Sequence, residues 1–171
     1  MRAEFLVLRL VHILSAITWV GSGVYTSFFL IPALSSSPAV MGQVVAGLER
    51  RRFFLVLQIV AGLTILSGLR LLWIDSAGFA GGYFASGTGR MFAISGGVAI
   101  IAAVLSFGVS RPAVIRAGAI AASLAASTDA GERERLTAQL AGLRRRGAIA
   151  GALAVGFGLI AASGMAIARY V

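Results

Sequence analysis

Cysteine and lysine are absent from this 171-residue chain, and histidine occurs once, as His12. Without cysteine there are no disulfides, thiolate metal sites or thiol catalysis. Without lysine no Schiff base forms, and no lysine ligand reaches a metal or haem. All 15 basic residues are arginines. A single histidine rules out H-x-x-x-H and H-E-x-x-H metal spacings and two-histidine haem ligation within one chain. Charged residues make up 12%, against about 25% in a soluble domain. Only six are acidic. Glu49, Asp129, Glu132 and Glu134 stand among arginines, the pattern of solvated ion pairs, which leaves Glu4 and Asp75. Hydrolytic and transfer chemistry thus has little to work with. Gly87-Thr88-Gly89 is too short for a phosphate loop.

Apolar residues are abundant, at 58%. They concentrate in four stretches, about 10–31, 53–73, 91–109 and 148–168. A bilayer core needs about 20 predominantly apolar residues per helix. In lipid every backbone polar group must be bonded internally, so such segments are helices or closed barrels. Barrel strands would be half as long and alternate in hydropathy. The expectation is an all-α, four-helix transmembrane bundle occupying residues 1–171 as one domain. Arg9 interrupts the first run, which is also longer than the apolar part of a signal peptide. The first helix is therefore expected to be retained.

The net charge of +9 would point to nucleic acid in a soluble protein. Here the arginines fall at headgroup level, so the partner is the bilayer and no nucleic acid is expected. Arg50, Arg51 and Arg52 lie in the first gap. Arg111, Arg116, Arg133, Arg135, Arg144, Arg145 and Arg146 lie in the third. The second gap has only Arg90. Arginine-rich short loops stay cytoplasmic. This predicts both termini on the outer side of a bacterial inner membrane.

Pro32, Pro38 and Ser35-Ser36-Ser37 predict a loop after the first span. Residues 74–90, glycine-rich with interfacial aromatics, predict an outer cap. Residues 110–147 are too long for a featureless loop. A turn signal at 127–131 and Leu136, Leu140 and Leu143 at helical spacing predict that helices three and four extend into a cytoplasmic hairpin. Glu132 and Arg135 are placed to pair across one turn.

Small residues recur at helical spacing: Gly147 and Gly151; Ala150, Ala154 and Gly158; Ser95, Ala99 and Ala103; Ala61-Gly62 and Ser67-Gly68. In lipid such residues let helices approach closely, within one bundle or across a homo-oligomer. Weak repetition accompanies them. An arginine triplet precedes Ser67-Gly68 and again Ser163-Gly164.

The candidate site centres on His12, inside the first span. His12, Ser15, Ala16, Trp19, Gly23 and Thr26 share one helical face, while Leu10, Ile13, Ile17, Val20 and Val24 suit lipid. An ionisable residue within a span normally faces the bundle interior with a partner. Each span carries one arginine near its outer end: Arg9, Arg70, Arg90 and Arg169. These either snorkel to headgroups or form a cationic mouth for carboxylates such as haem propionates. His12 with Met91 and Met165 offers a soft copper(I) set; methionine also serves as core filler. Haem b would need His/Met ligation, a single axial ligand, or a dimer sharing two copies of His12. Alternatively, His12 bonds Ser15 or a carbonyl of a neighbouring helix.

His12-Ile13-Leu14, Trp19-Val20-Gly21 and Pro32-Ala33-Leu34 resemble the first helix of small bacterial membrane proteins. These include copper resistance protein D-like proteins and HemJ-type protoporphyrinogen oxidases. The resemblance covers about 25 residues and implies b-type haem on His12. It also implies a site lysine, which this chain lacks. Scarce chemistry and many packing motifs predict a non-catalytic accessory or scaffold subunit of a larger membrane complex. The alternative is a haem- or copper-binding redox module centred on His12.

Overall fold

The computed structural model describes residues 2–34 and 36–171. They are helical almost throughout, with no strand among them. In chain order the helices are α1 (Arg2–Leu34), α2 (Pro38–Arg50), α3 (Phe53–Asp75), α4 (Gly81–Ala85), α5 (Gly87–Ala126) and α6 (Ala130–Tyr170). Four of them, α1, α3, α5 and α6, are long and apolar enough to cross a membrane.

The loop expected after the first span is mostly helix. α1 continues through Pro32 to Leu34, and α2 occupies most of the first gap. A proline inside a helix lacks the N–H that would bond back, and its ring clashes with the carbonyl four residues earlier. α1 widens into a π turn at Tyr25–Leu30 just before Pro32. α5 does the same at Leu105–Ser110 just before Pro112. The wider turns move the offending carbonyl aside. Pro38 opens α2, where its missing N–H would have no helical partner anyway.

Two helix pairs make the bundle. α1 packs along α3, and α5 along α6. Shorter contacts of α1 with α6 and of α3 with α5 close the ring. The two Ser-Gly steps of the repeat are points of close approach: Gly68 faces the His12 ring and Gly164 faces Ser95. The small-residue stripe of α6 is used up inside the molecule. Gly147, Ala150, Ala154, Gly158 and Ala161 are buried. A Cβ on Gly158 would lie 3.3 Å from Val20, and one on Gly23 would lie 3.0 Å from Val155. Val20, expected on the lipid face, therefore packs inward. It follows Trp19 by one residue, and α1 is flanked by helices on both sides.

Buried side chains are mostly small or weakly polar: Ser15, Ala61, Thr64, Ser67, Ser95 and Ala102. Large apolar ones lie outside, with Leu10, Ile17, Leu66 and Ile94 each more than 60% exposed. This distribution fits lipid contact, where helices associate through close backbone approach rather than apolar burial.

Beyond Ser110 and before Gly147, α5 and α6 stay packed together, burying Ala113, Ala117, Leu136 and Leu140. The Asp129 carboxylate caps α6 by accepting from the Glu132 N–H at 2.7 Å. Arg133 donates to the carbonyls of Leu124 and Ser127, both at 3.0 Å, and so satisfies the end of α5. Glu132 and Arg135 form the pair that their spacing predicts, at 2.6 Å.

Candidate functional site

His12 is held by α3. Its Nδ1 lies 2.8 Å from the Thr64 carbonyl oxygen and 3.3 Å from the Ser67 hydroxyl. A carbonyl only accepts, so Nδ1 carries a proton, and in the neutral imidazole Nε2 is then the bare nitrogen. Nε2 has no hydrogen-bond partner among the described residues. Gly68 makes room for the ring, because a Cβ there would sit 2.8 Å from His12 Cε1. Ser15 does not bond the imidazole. Its hydroxyl donates to the Val11 carbonyl and accepts from the Thr64 hydroxyl at 3.0 Å. The neighbouring-helix carbonyl anticipated for His12 is thus present. It is also the usual orienting partner of a ligating histidine, fixing one nitrogen and freeing the other.

His12 lines a cavity of about 1140 Å³ to which all four long helices contribute. Along α1 its lining runs from Phe5 to Phe29, so the cavity follows most of that helix. The walls are mainly apolar, with Phe5, Ile13, Leu72, Phe92, Ile100 and Leu159 among them. Three charged groups join His12 on the lining: Arg9, Asp75 and Arg169.

The four arginines expected at the mouth divide. Arg9 and Arg169 line the cavity, whereas Arg70 and Arg90 do not. Arg70 is engaged elsewhere: it pairs with Glu4 at 2.7 Å and covers the Trp73 ring at 4.6 Å. Trp19 is buried and stacks on Phe107, with ring centroids 6.3 Å apart. It lines a second pocket, which reaches the end of the bundle that carries Glu49 and Arg111. Met165 lines the His12 cavity, while Met91 lies against Gly164 in the α5–α6 contact. The copper set of His12, Met91 and Met165 is therefore not gathered on one wall. Among the described residues no three of His, Cys, Asp and Glu cluster as metal ligands.

Thr64, Asp75 and Tyr170 are site residues that the helical-face argument did not single out. The polar and small run Thr64, Ser67 and Gly68 within an apolar span was the available signal for His12's partners. Above the cavity, Tyr83 of α4 comes close enough to Asp75 and Arg169 to feel both. Burial raises its phenol pKa above the ordinary value, Asp75 adds to this and Arg169 opposes it.

No family model, curated protein or solved structure matches this chain.

Proposed function

We propose that the chain is a haem b-binding membrane module in which His12 would hold the iron. One observation carries the reading: His12 is fixed through Nδ1, its Nε2 has no hydrogen-bond partner among the described residues, and the residue lines a large, mainly apolar cavity. Apolar walls suit a porphyrin face, and Arg9 and Arg169 suit its propionates. A bound haem would supply one-electron redox chemistry. Thr64 orients the imidazole and sets its tautomer. Gly68 lets the two helices close on the ring. The first-helix resemblance, His12 followed by Trp19, Gly21 and Pro32, supports the same assignment. Oxidase activity is not assigned, because the lysine it would require is absent. Copper has only His12 and Met165 on the cavity wall.

The accessory-subunit reading rests on scarce chemistry and on packing motifs, and the principal stripe is occupied within the bundle. Arginine asymmetry supports an orientation with the His12 end outside and the α5–α6 extension in the cytoplasm.

Two experiments test these statements. Full-length protein in mild detergent, titrated with haemin, should develop a Soret band at one equivalent and a sharp reduced spectrum with dithionite. The His12→Ala variant should lose both. An unchanged spectrum in that variant, or no saturable binding by the wild type, overturns the haem assignment. Reporter fusions at Arg51 and Arg145 should report cytoplasm, and a fusion at Gly82 the opposite side. The inverse pattern overturns the orientation.

A further inference from the structure

The second pocket lies at the arginine end of the bundle and has a volume of about 170 Å³. The two π turns meet there: Thr26 and Ser27 come from α1, Ser106 and Ser110 from α5. The Thr26 hydroxyl oxygen is buried and has no hydrogen-bond partner. Leaving such a group unmet costs about 1–3 kcal/mol. Glu49 and Arg111 also line the pocket. Both are exposed, and neither is in an ion pair or side-chain hydrogen bond among the described residues. The rest of the lining is largely apolar, led by Phe53, Phe54, Leu57, Val114 and Ile115. Val114 and Ile115 are exposed on the outer surface, so a flexible chain can leave the pocket along them.

We propose that this pocket binds a phospholipid with a phosphoethanolamine headgroup. The lining carries one carboxylate and one guanidinium, matching the headgroup's ammonium and phosphate. A guanidinium binds phosphate oxygens through paired N–H donors. Glu49 accepts from a primary ammonium, whereas the trimethylammonium of choline has no N–H to give. The Thr26 hydroxyl donates to an acyl ester carbonyl, and the aromatic and aliphatic wall takes the start of one chain. A pocket of about 170 Å³ leaves most of both tails in the bilayer. The assignment rests on the long helices lying in lipid and is independent of haem at His12. A chain soluble without detergent would remove that premise before any lipid is measured.

The test uses full-length protein reconstituted in an equimolar mixture of phosphatidylethanolamine, phosphatidylcholine and phosphatidylglycerol. The protein is re-extracted in mild detergent and its retained lipid quantified. Phosphatidylethanolamine should exceed each of the others by about tenfold, the factor carried by one charge-assisted hydrogen bond. Glu49→Gln, a surface substitution, should abolish the preference over phosphatidylcholine. Thr26→Val, nearly isosteric, should lower retention of all three. Retention of phosphatidylglycerol at or above phosphatidylethanolamine would show that the arginine collar selects, and would overturn the proposal. Unchanged retention in both variants would overturn it as well. So would displacement of the lipid by water-soluble phosphoethanolamine at equal concentration, which would mark a site for the free zwitterion.

Discussion

Gly68→Ala is expected to lower haem affinity at least about tenfold, although it adds only one methyl group and leaves His12 itself unchanged. The new Cβ would lie 2.8 Å from His12 Cε1 and 3.1 Å from Nδ1. The ring cannot give way in place, because Nδ1 is bonded to the Thr64 carbonyl one turn before Gly68 on the same helix. Either the imidazole rotates and loses that bond, or α1 and α3 separate. Loss of an orienting partner weakens a metal site by about 10–100-fold. Overpacking a tight contact destabilises by about 1–3 kcal/mol, so the melting temperature in detergent should fall too. Gly62→Ala is the matched control on the same helix, since a Cβ there meets nothing within 4 Å. Its haem affinity should equal the wild type's. Equal titration curves for the two variants would remove the steric basis of the site.

Gly89→Ala should produce the largest loss of thermal stability of any single-methyl addition in the chain. Gly89 is buried at the start of α5, beneath α4. A Cβ there would collide with the Tyr83 carbonyl oxygen and lie 2.9 Å from Tyr83 Cδ1. The obstacle is backbone, and it is tied on both sides. The Ser86 N–H donates to the Tyr83 carbonyl at 3.1 Å, and the Ser86 hydroxyl accepts from the Gly89 N–H at 3.0 Å. Relief requires breaking this cap or displacing α4, with an expected cost of about 3 kcal/mol or more. Gly82→Ala, at an exposed position of α4 with nothing within 4 Å, should melt like the wild type. A Gly89→Ala protein that melts with it would show that α4 is not seated on α5.

The His12 and Gly89 neighbourhoods show how unevenly the sequence reveals this molecule. The repeat was visible as two Ser-Gly steps, and both are contact points between paired helices. What presses on each glycine differs: an imidazole on Gly68, a serine hydroxyl on Gly164. Only one half of the repeat therefore carries a candidate ligand. His12 itself stood out by being alone. Its partners were harder to see, because a carbonyl acceptor has no signature in the residue code. The arginines show the same limit. Arg70 and Arg169 look alike along the chain, yet Glu4 holds Arg70 away from the cavity that Arg169 lines. Trp19 shares a helical face with His12 but lines the other pocket, while Val24, Tyr25 and Phe29, further along α1, line the His12 cavity.

The chain alone determined that it has four apolar helices, that charge gathers at one end, and which chemistries its composition forbids. These follow from each segment's own length and makeup against lipid, with no reference to a neighbour. Tertiary structure decided the rest: the π turns that carry helices through Pro32 and Pro112, the inward turn of Val20, the choice of Arg9 and Arg169 over Arg70 and Arg90, and the free nitrogen of His12. Each depends on how one helix is rotated and seated against another. In lipid that seating is set by contacts between backbones and small side chains, which no single segment contains.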